Sequence, residues 1–169
     1  LCAVRHGPRG VNQINSQIEK YLSLRGYDCN NDEWYQGRPI IITRNDYHLE
    51  LYNGDIGICM PDQDNQGEPA IWFAQGEGRF RSILPVRLPP HETVWAMTVH
   101  KSQGSEFKEI LVVLPEEDSP VLSRELLYTA ITRARNRASI LSEKTVCTTA
   151  IVRKTSRCSG LAKRLMEFS

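Results

Sequence analysis

Residues 98–107 read Thr-Val-His-Lys-Ser-Gln-Gly-Ser-Glu-Phe and lie between two apolar, strand-like runs at 93–97 and 110–114. A hydroxyl, an imidazole, an ammonium, an amide, a glycine and a carboxylate are thus packed into one short connection. In open α/β sheets, strand ends are where ligands lie. Gly104 lets the backbone turn or approach a ligand at little steric cost. Thr98, His100, Lys101 and Ser102 all have side chains able to donate to phosphate oxygens. On composition alone the stretch reads equally well as a polar surface loop.

A second stretch at 124–137, Arg-Glu-Leu-Leu-Tyr-Thr-Ala-Ile-Thr-Arg-Ala-Arg-Asn-Arg, predicts a helix. Ser123 is a suitable N-cap and Glu125 places an acid in the first turn. Leu127, Ile131 and Ala134 fall on one face at helical spacing. Arg133 and Arg135 then sit near the helix C-terminus, where cations are favoured. A capped amphipathic helix with a solvated basic end accounts for the pattern without any ligand.

Together the two stretches resemble motifs V and VI of superfamily 1 DNA helicases, carried by residues 98–107 and by Tyr-Thr-Ala-Ile-Thr-Arg-Ala-Arg at 128–135. With Arg-His-Gly-Pro-Arg-Gly at 5–10 and Asn-Gly-Asp-Ile-Gly at 53–57, the form is similar to the RecD branch, the alpha subunit of exodeoxyribonuclease V, over essentially all 169 residues. The resemblance implies an α/β, RecA-like second motor domain at 1–48 and 91–169, with an SH3-like β-barrel inserted at 49–90. It implies that Arg133 is the arginine finger, with Arg135 a second candidate, and that Gly104 and Glu106 face the nucleotide. Thr98, His100, Lys101 and Ser102 would lie along a single DNA strand. Motif IV supplies a phosphate-contacting arginine in many members, and Arg5 and Arg9 are both candidates for it.

Composition excludes several other classes. At 40% hydrophobic residues the chain can bury a core, and no apolar run approaches the roughly 18 to 20 residues of a spanning helix. No signal-peptide pattern opens it, so a soluble, cytoplasmic protein is expected. Five scattered cysteines with no Cys-x-x-Cys pair indicate neither a zinc site nor a disulfide framework. The net charge of +1 hides an asymmetry: residues 28–118 hold 16 Asp/Glu against 7 Lys/Arg, and residues 124–164 hold 2 against 10. The basic end is where an anion would go.

In chain order, 1–4 reads as a short buried strand, and a start with neither Met nor leader predicts that the chain continues upstream. Gly-Pro-Arg-Gly at 7–10 is a turn. Val11, Ile14, Ile18, Tyr21 and Leu22 follow at helical spacing until Gly26. A strand at 39–43 is expected to close the first part of the main layer. Short apolar runs at 56–60, 70–74 and 79–84, parted by Gly, Pro, Asp and Asn, predict a small antiparallel barrel or meander. Trp72, Phe73, Phe80 and Arg81 could form a base-stacking surface, although aromatic residues in so small a unit usually form its core. A last strand at 138–142 and helices at 145–154 and 159–168 complete an alternation typical of a mostly parallel sheet.

Phosphoryl transfer needs a phosphate-cradling loop, Mg²⁺, a group that positions water, and a cation at the γ-phosphate. The sequence contains no Gly-x-x-x-x-Gly-Lys-Ser/Thr. The resemblance therefore implies that ATP and Mg²⁺ are held mainly by an N-terminal motor domain outside this chain, with single-stranded DNA and RecB and RecC subunits as partners. A stand-alone RecD-like helicase, a conjugative relaxase-type helicase and a non-catalytic binding module remain open alternatives.

Overall fold

The computed structural model describes residues 1–27, 29 and 33–155; the helix expected at 159–168 lies outside them. Helix α1 (Val11–Leu24) forms where the apolar spacing predicts it. Gly10 caps its start, and a Cβ there would meet the His6 backbone at 2.6 Å, so only glycine lets the 5–9 loop fold back on the helix. At the other end Gly26, at φ +89°, turns the chain out of the helix.

The middle of the chain is one antiparallel sheet of β1 (Pro39–Ile42), β2 (Ile56–Pro61), β3 (Pro69–Ala74), β4 (Phe80–Ile83) and β5 (His91–Thr93), in the order β4-β3-β2-β1-β5. Its buried face gathers Ile40, Ile42, Cys59, Ile71, Phe73 and Ile83 around Leu51. Gly57 belongs to this face for lack of room, because a Cβ there would lie 2.6 Å from Ile71 and 2.7 Å from Phe73. Phe73 is core, as aromatic residues in such a unit usually are, whereas Phe80 is exposed. The boundary differs from 49–90. β1 pairs with both β2 and β5, so the sheet runs from 39 to 93, and the run expected to close the main layer belongs to it instead. The tight Asn53-Gly54 turn folds β2 back onto one edge of β1, and β5 pairs with the other.

A parallel layer joins the two ends of the described chain. β6 (Phe107–Val113) and β7 (Ala134–Leu141) pair in parallel. Cys2 bridges Thr98 on one side and Val113 on the other, also in parallel. One face of this layer is covered by α2 (Arg124–Ile131) and α3 (Lys144–Val152), with Val99, Ile110, Val112, Leu114, Leu126, Leu127 and Ala130 at the centre. The α/β alternation read from the sequence is present in this layer.

The expected helix over 124–137 stops at Ile131. Thr132 turns its hydroxyl back onto the carbonyls of Tyr128 and Thr129, and after Arg133 the next eight residues form β7. Glu109 faces Arg137 across the ladder and accepts from it at 2.6 Å, while Arg135 reaches Glu106. Pairing with β6 thus outweighs a local pattern that suited a longer helix.

Asn15 fastens α1 to the connection between β5 and Thr98. Its side-chain amide donates to the carbonyls of Thr93 and Ala96 and accepts from the Ala96 N–H at 2.7 Å, standing in for a missing strand.

Candidate functional site

Residues 98–104 form a compact turn at the carboxyl end of the segment paired to Cys2. Thr98 accepts the Lys101 N–H on its hydroxyl oxygen and the Ser102 N–H on its carbonyl. Ser102 is fully buried and donates its hydroxyl to the Val99 carbonyl at 2.8 Å. That hydroxyl holds the turn together from within. His100 is exposed, and Gly104 takes φ +86° with nothing within 4 Å of where a Cβ would stand. The backbone at Gly104 is open to close approach, as the lack of a side chain there suggests.

Beyond Gly104 the chain reaches the opposite edge of the layer. Ser105 and Glu106 precede β6, Arg133 precedes β7, and the two starts are tied by the Phe107 N–H donating to the Arg133 carbonyl at 2.8 Å. The ten-residue stretch therefore spans both edges of the parallel layer, where a single strand end was expected.

Arg133 and Arg135 have different surroundings. The Arg133 guanidinium donates to the carbonyls of Thr129 at 3.3 Å and Ser105 at 3.4 Å, and it meets no carboxylate among the described residues. Arg135 is paired with Glu106 at 2.8 Å. Arg133 thus keeps an uncompensated charge beside the Gly104–Glu106 bend, while Arg135 and Glu106 are engaged with one another.

The two motif IV candidates are separated. Arg5 donates to Glu92 Oε1 at 2.6 Å, and Lys101 donates to Glu92 Oε2 at 2.7 Å. Burial works to raise the Glu92 pKa, but the bonds from Lys101 and Arg5 outweigh it and hold the carboxyl below its usual range. Arg9 lies beyond the carboxyl ends of β6 and β7, against Glu116 at 3.5 Å and Glu143 at 3.4 Å. Neither arginine is bonded to Arg133, Arg135 or Glu106 among the described residues.

Sequence reasoning missed three residues. Glu92 precedes the apolar run expected at 93–97 and had no role there, yet it stands in β5. Arg153 grips Asp118 and the Ser119 and Leu122 carbonyls, so the loop before α2 is tied to the end of α3. Thr155 donates its backbone N–H to Glu125, and its hydroxyl lies against both Glu125 and Ser123, the expected N-cap, whose oxygen accepts from the Leu126 N–H. The Glu125 carboxyl is held at about 2, first by its own backbone N–H and then by Thr155. Arg153, Thr155, Ser123 and Glu125, with His100 and Gln103, line a cavity of about 330 Å³. Charge complementarity across 30 residues or more leaves no local sequence signal.

Residues 93–141 match the UvrD-like helicase C-terminal domain family. The stretch takes in the 98–104 turn, β6, α2 and β7. The chain is 41% identical over 173 residues to the RecBCD enzyme subunit RecD of Haemophilus influenzae, covering all of this chain and 25% of that one. The chain is RecD-like. It is also 33% identical over 139 residues to the ATP-dependent RecD2 DNA helicase of Deinococcus radiodurans, covering 81% of this chain and 19% of that one. The Pif1 helicase structure from Candida albicans aligns with 80% of this RecD-like chain and 36% of its own, at 15% identity and a TM-score of 0.48. The chain spans about a quarter of the length of the RecD subunit it matches. Among the described residues no helix is long and apolar enough to cross a membrane, and no group of three or more His, Cys, Asp or Glu could hold a metal ion.

Proposed function

We propose that this chain is half of a nucleotide pocket in an ATP-dependent DNA helicase subunit. It would act 5′ to 3′ with RecB and RecC in recombinational double-strand break repair. One observation carries the reading: Arg133 is held by neutral carbonyls beside the open backbone of Gly104, with no carboxylate among the described residues to neutralise it. A guanidinium anchored in this way is positioned for an incoming phosphate and need not first break an ion pair. Arg135, tied to Glu106, is the weaker candidate, and its partner would have to open before Glu106 could accept from a nucleotide sugar.

The residues present fit the phosphate side of ATP. Arg133 would stabilise charge on the terminal phosphate, and Gly104 would admit it to the backbone. They do not fit Mg²⁺, because no group of three or more His, Cys, Asp or Glu is gathered to hold a metal among the described residues. ATP's cradle and its metal would therefore belong to the N-terminal motor domain, and the 98–104 turn would lie along single-stranded DNA. The strand order β5-β1-β2-β3-β4, a meander with a single-turn helix before β5, supports the SH3-like reading of the insert.

In the full-length protein, Arg133→Ala abolishes DNA-stimulated ATP turnover and leaves ATP binding largely intact. Turnover that survives the change removes Arg133 from the mechanism. The isolated 169-residue chain hydrolyses no ATP, and measurable DNA-stimulated turnover by it alone refutes the split-pocket reading. The similarity to a RecD2 helicase keeps a stand-alone enzyme as the second reading, which co-purification without large partner subunits would favour.

A further inference from the structure

Glu92 is the one acidic side chain of β5, and each of its oxygens receives a different cation. Arg5 comes from the loop before α1 and meets Oε1 at 2.6 Å; Lys101 comes from the 98–104 turn and meets Oε2 at 2.7 Å. The three residues are 87 and 9 positions apart in sequence. Two cations delivered by separate elements converge on one two-oxygen anion, and guanidinium and ammonium groups recognise carboxylate and phosphate by the same pairing of donors to adjacent oxygens. All three side chains are partly open to solvent, at 46%, 37% and 29% exposed for Arg5, Glu92 and Lys101, so a larger anion can reach them. Partly exposed ion pairs of this kind are weak and readily exchanged.

We propose that Arg5 and Lys101 form a phosphate clamp which Glu92 occupies from within when no phosphate is bound, so that Glu92 is a positioning residue. It holds both cations at the spacing a phosphate needs, competes with that phosphate, and ties the antiparallel sheet to the 98–104 turn. The ligand is a phosphate group, either a diester of a nucleic-acid strand or a phosphate of a nucleotide. The inference rests on the reading of that turn as a ligand contact. It does not depend on Arg133 or on catalysis.

The test is equilibrium binding by the full-length protein, without turnover, of an oligothymidylate in one arm and of a non-hydrolysable ATP analogue in the other, each over a range of salt concentrations. Glu92→Gln, close in shape but uncharged, tightens binding several-fold in the arm that supplies the phosphate. For the oligonucleotide it steepens the slope of log affinity against log salt by about one. Lys101→Met and Arg5→Met each make that slope shallower, Glu92→Gln with Lys101→Met returns it toward wild type, and Glu92→Asp stays close to wild type. Tightening in the oligonucleotide arm identifies a strand phosphate, and tightening in the analogue arm a nucleotide phosphate. Unchanged affinity in both arms, with the thermal midpoint retained, overturns the clamp and leaves the proposed function standing. Wild-type protein that binds neither ligand overturns both.

Discussion

The parallel layer and the antiparallel sheet are held together by similar apolar clusters yet differ in where their polar groups go. In the parallel layer the strands run the same way, so their starts and ends form two separate edges linked by long connections. Polar residues collect there: Arg133, Ser105 and the Arg135–Glu106 pair at the starting edge, Arg9 with Glu116 and Glu143 at the other. In the antiparallel sheet β2, β3 and β4 each return beside the strand before them, and β5 crosses to pair with β1, so the connections are divided between the two ends of the sheet. That sheet reaches the candidate site through Glu92, which pairs with Lys101. Strand direction decides where the connections, and the polar groups they carry, collect.

The contrast is tested first at the arginines. Arg133→Ala lowers turnover of the full-length protein by on the order of 10³ to 10⁵, the range of an arginine finger. Arg135→Ala, which removes a guanidinium already neutralised, lowers it far less. Equal losses measured by steady-state ATPase assay would erase the distinction drawn from their partners.

Core truncations give the next largest effect. Leu114→Ala in the parallel layer and Ile71→Ala in the antiparallel sheet, both fully buried, each cost about 2 to 5 kcal/mol. Denaturant unfolding followed separately by β-sheet and helix signals shows whether the two clusters melt as one unit or as two. A smaller change comes from Ser123→Ala, which removes the cap of α2 and the acceptor for Thr155 and costs about 1 kcal/mol in the same assay.

The smallest effect is one of pH. The Glu125 carboxyl is depressed from 4.5 to about 2, so whatever it adds to stability is complete above pH 4.5 and is lost as pH falls toward 2. A carboxyl titration followed by NMR should place its midpoint well below that of an exposed glutamate. Thr155→Val, which removes one donor, should move that midpoint up.

Much was legible along the chain, because it depends on neighbours in sequence. The 3.6-residue spacing of α1, the Ser123 cap, the apolar strands of the middle region and the motif residues around Gly104 are all local patterns. The end of α2 was not legible. Residues 132–137 suit a helix, and only the ladder to β6, with Glu109 and Glu106 waiting for Arg137 and Arg135, makes them a strand. The same holds for β1, whose apolar run would fit either sheet until β2 and β5 pair with it. Residue types and spacings along the chain named the set of groups able to meet a phosphate. Which of them are neutralised by a partner, which one is buried in its own turn and which stays charged depended on contacts between residues far apart in sequence, and those contacts exist only once the backbone has been folded.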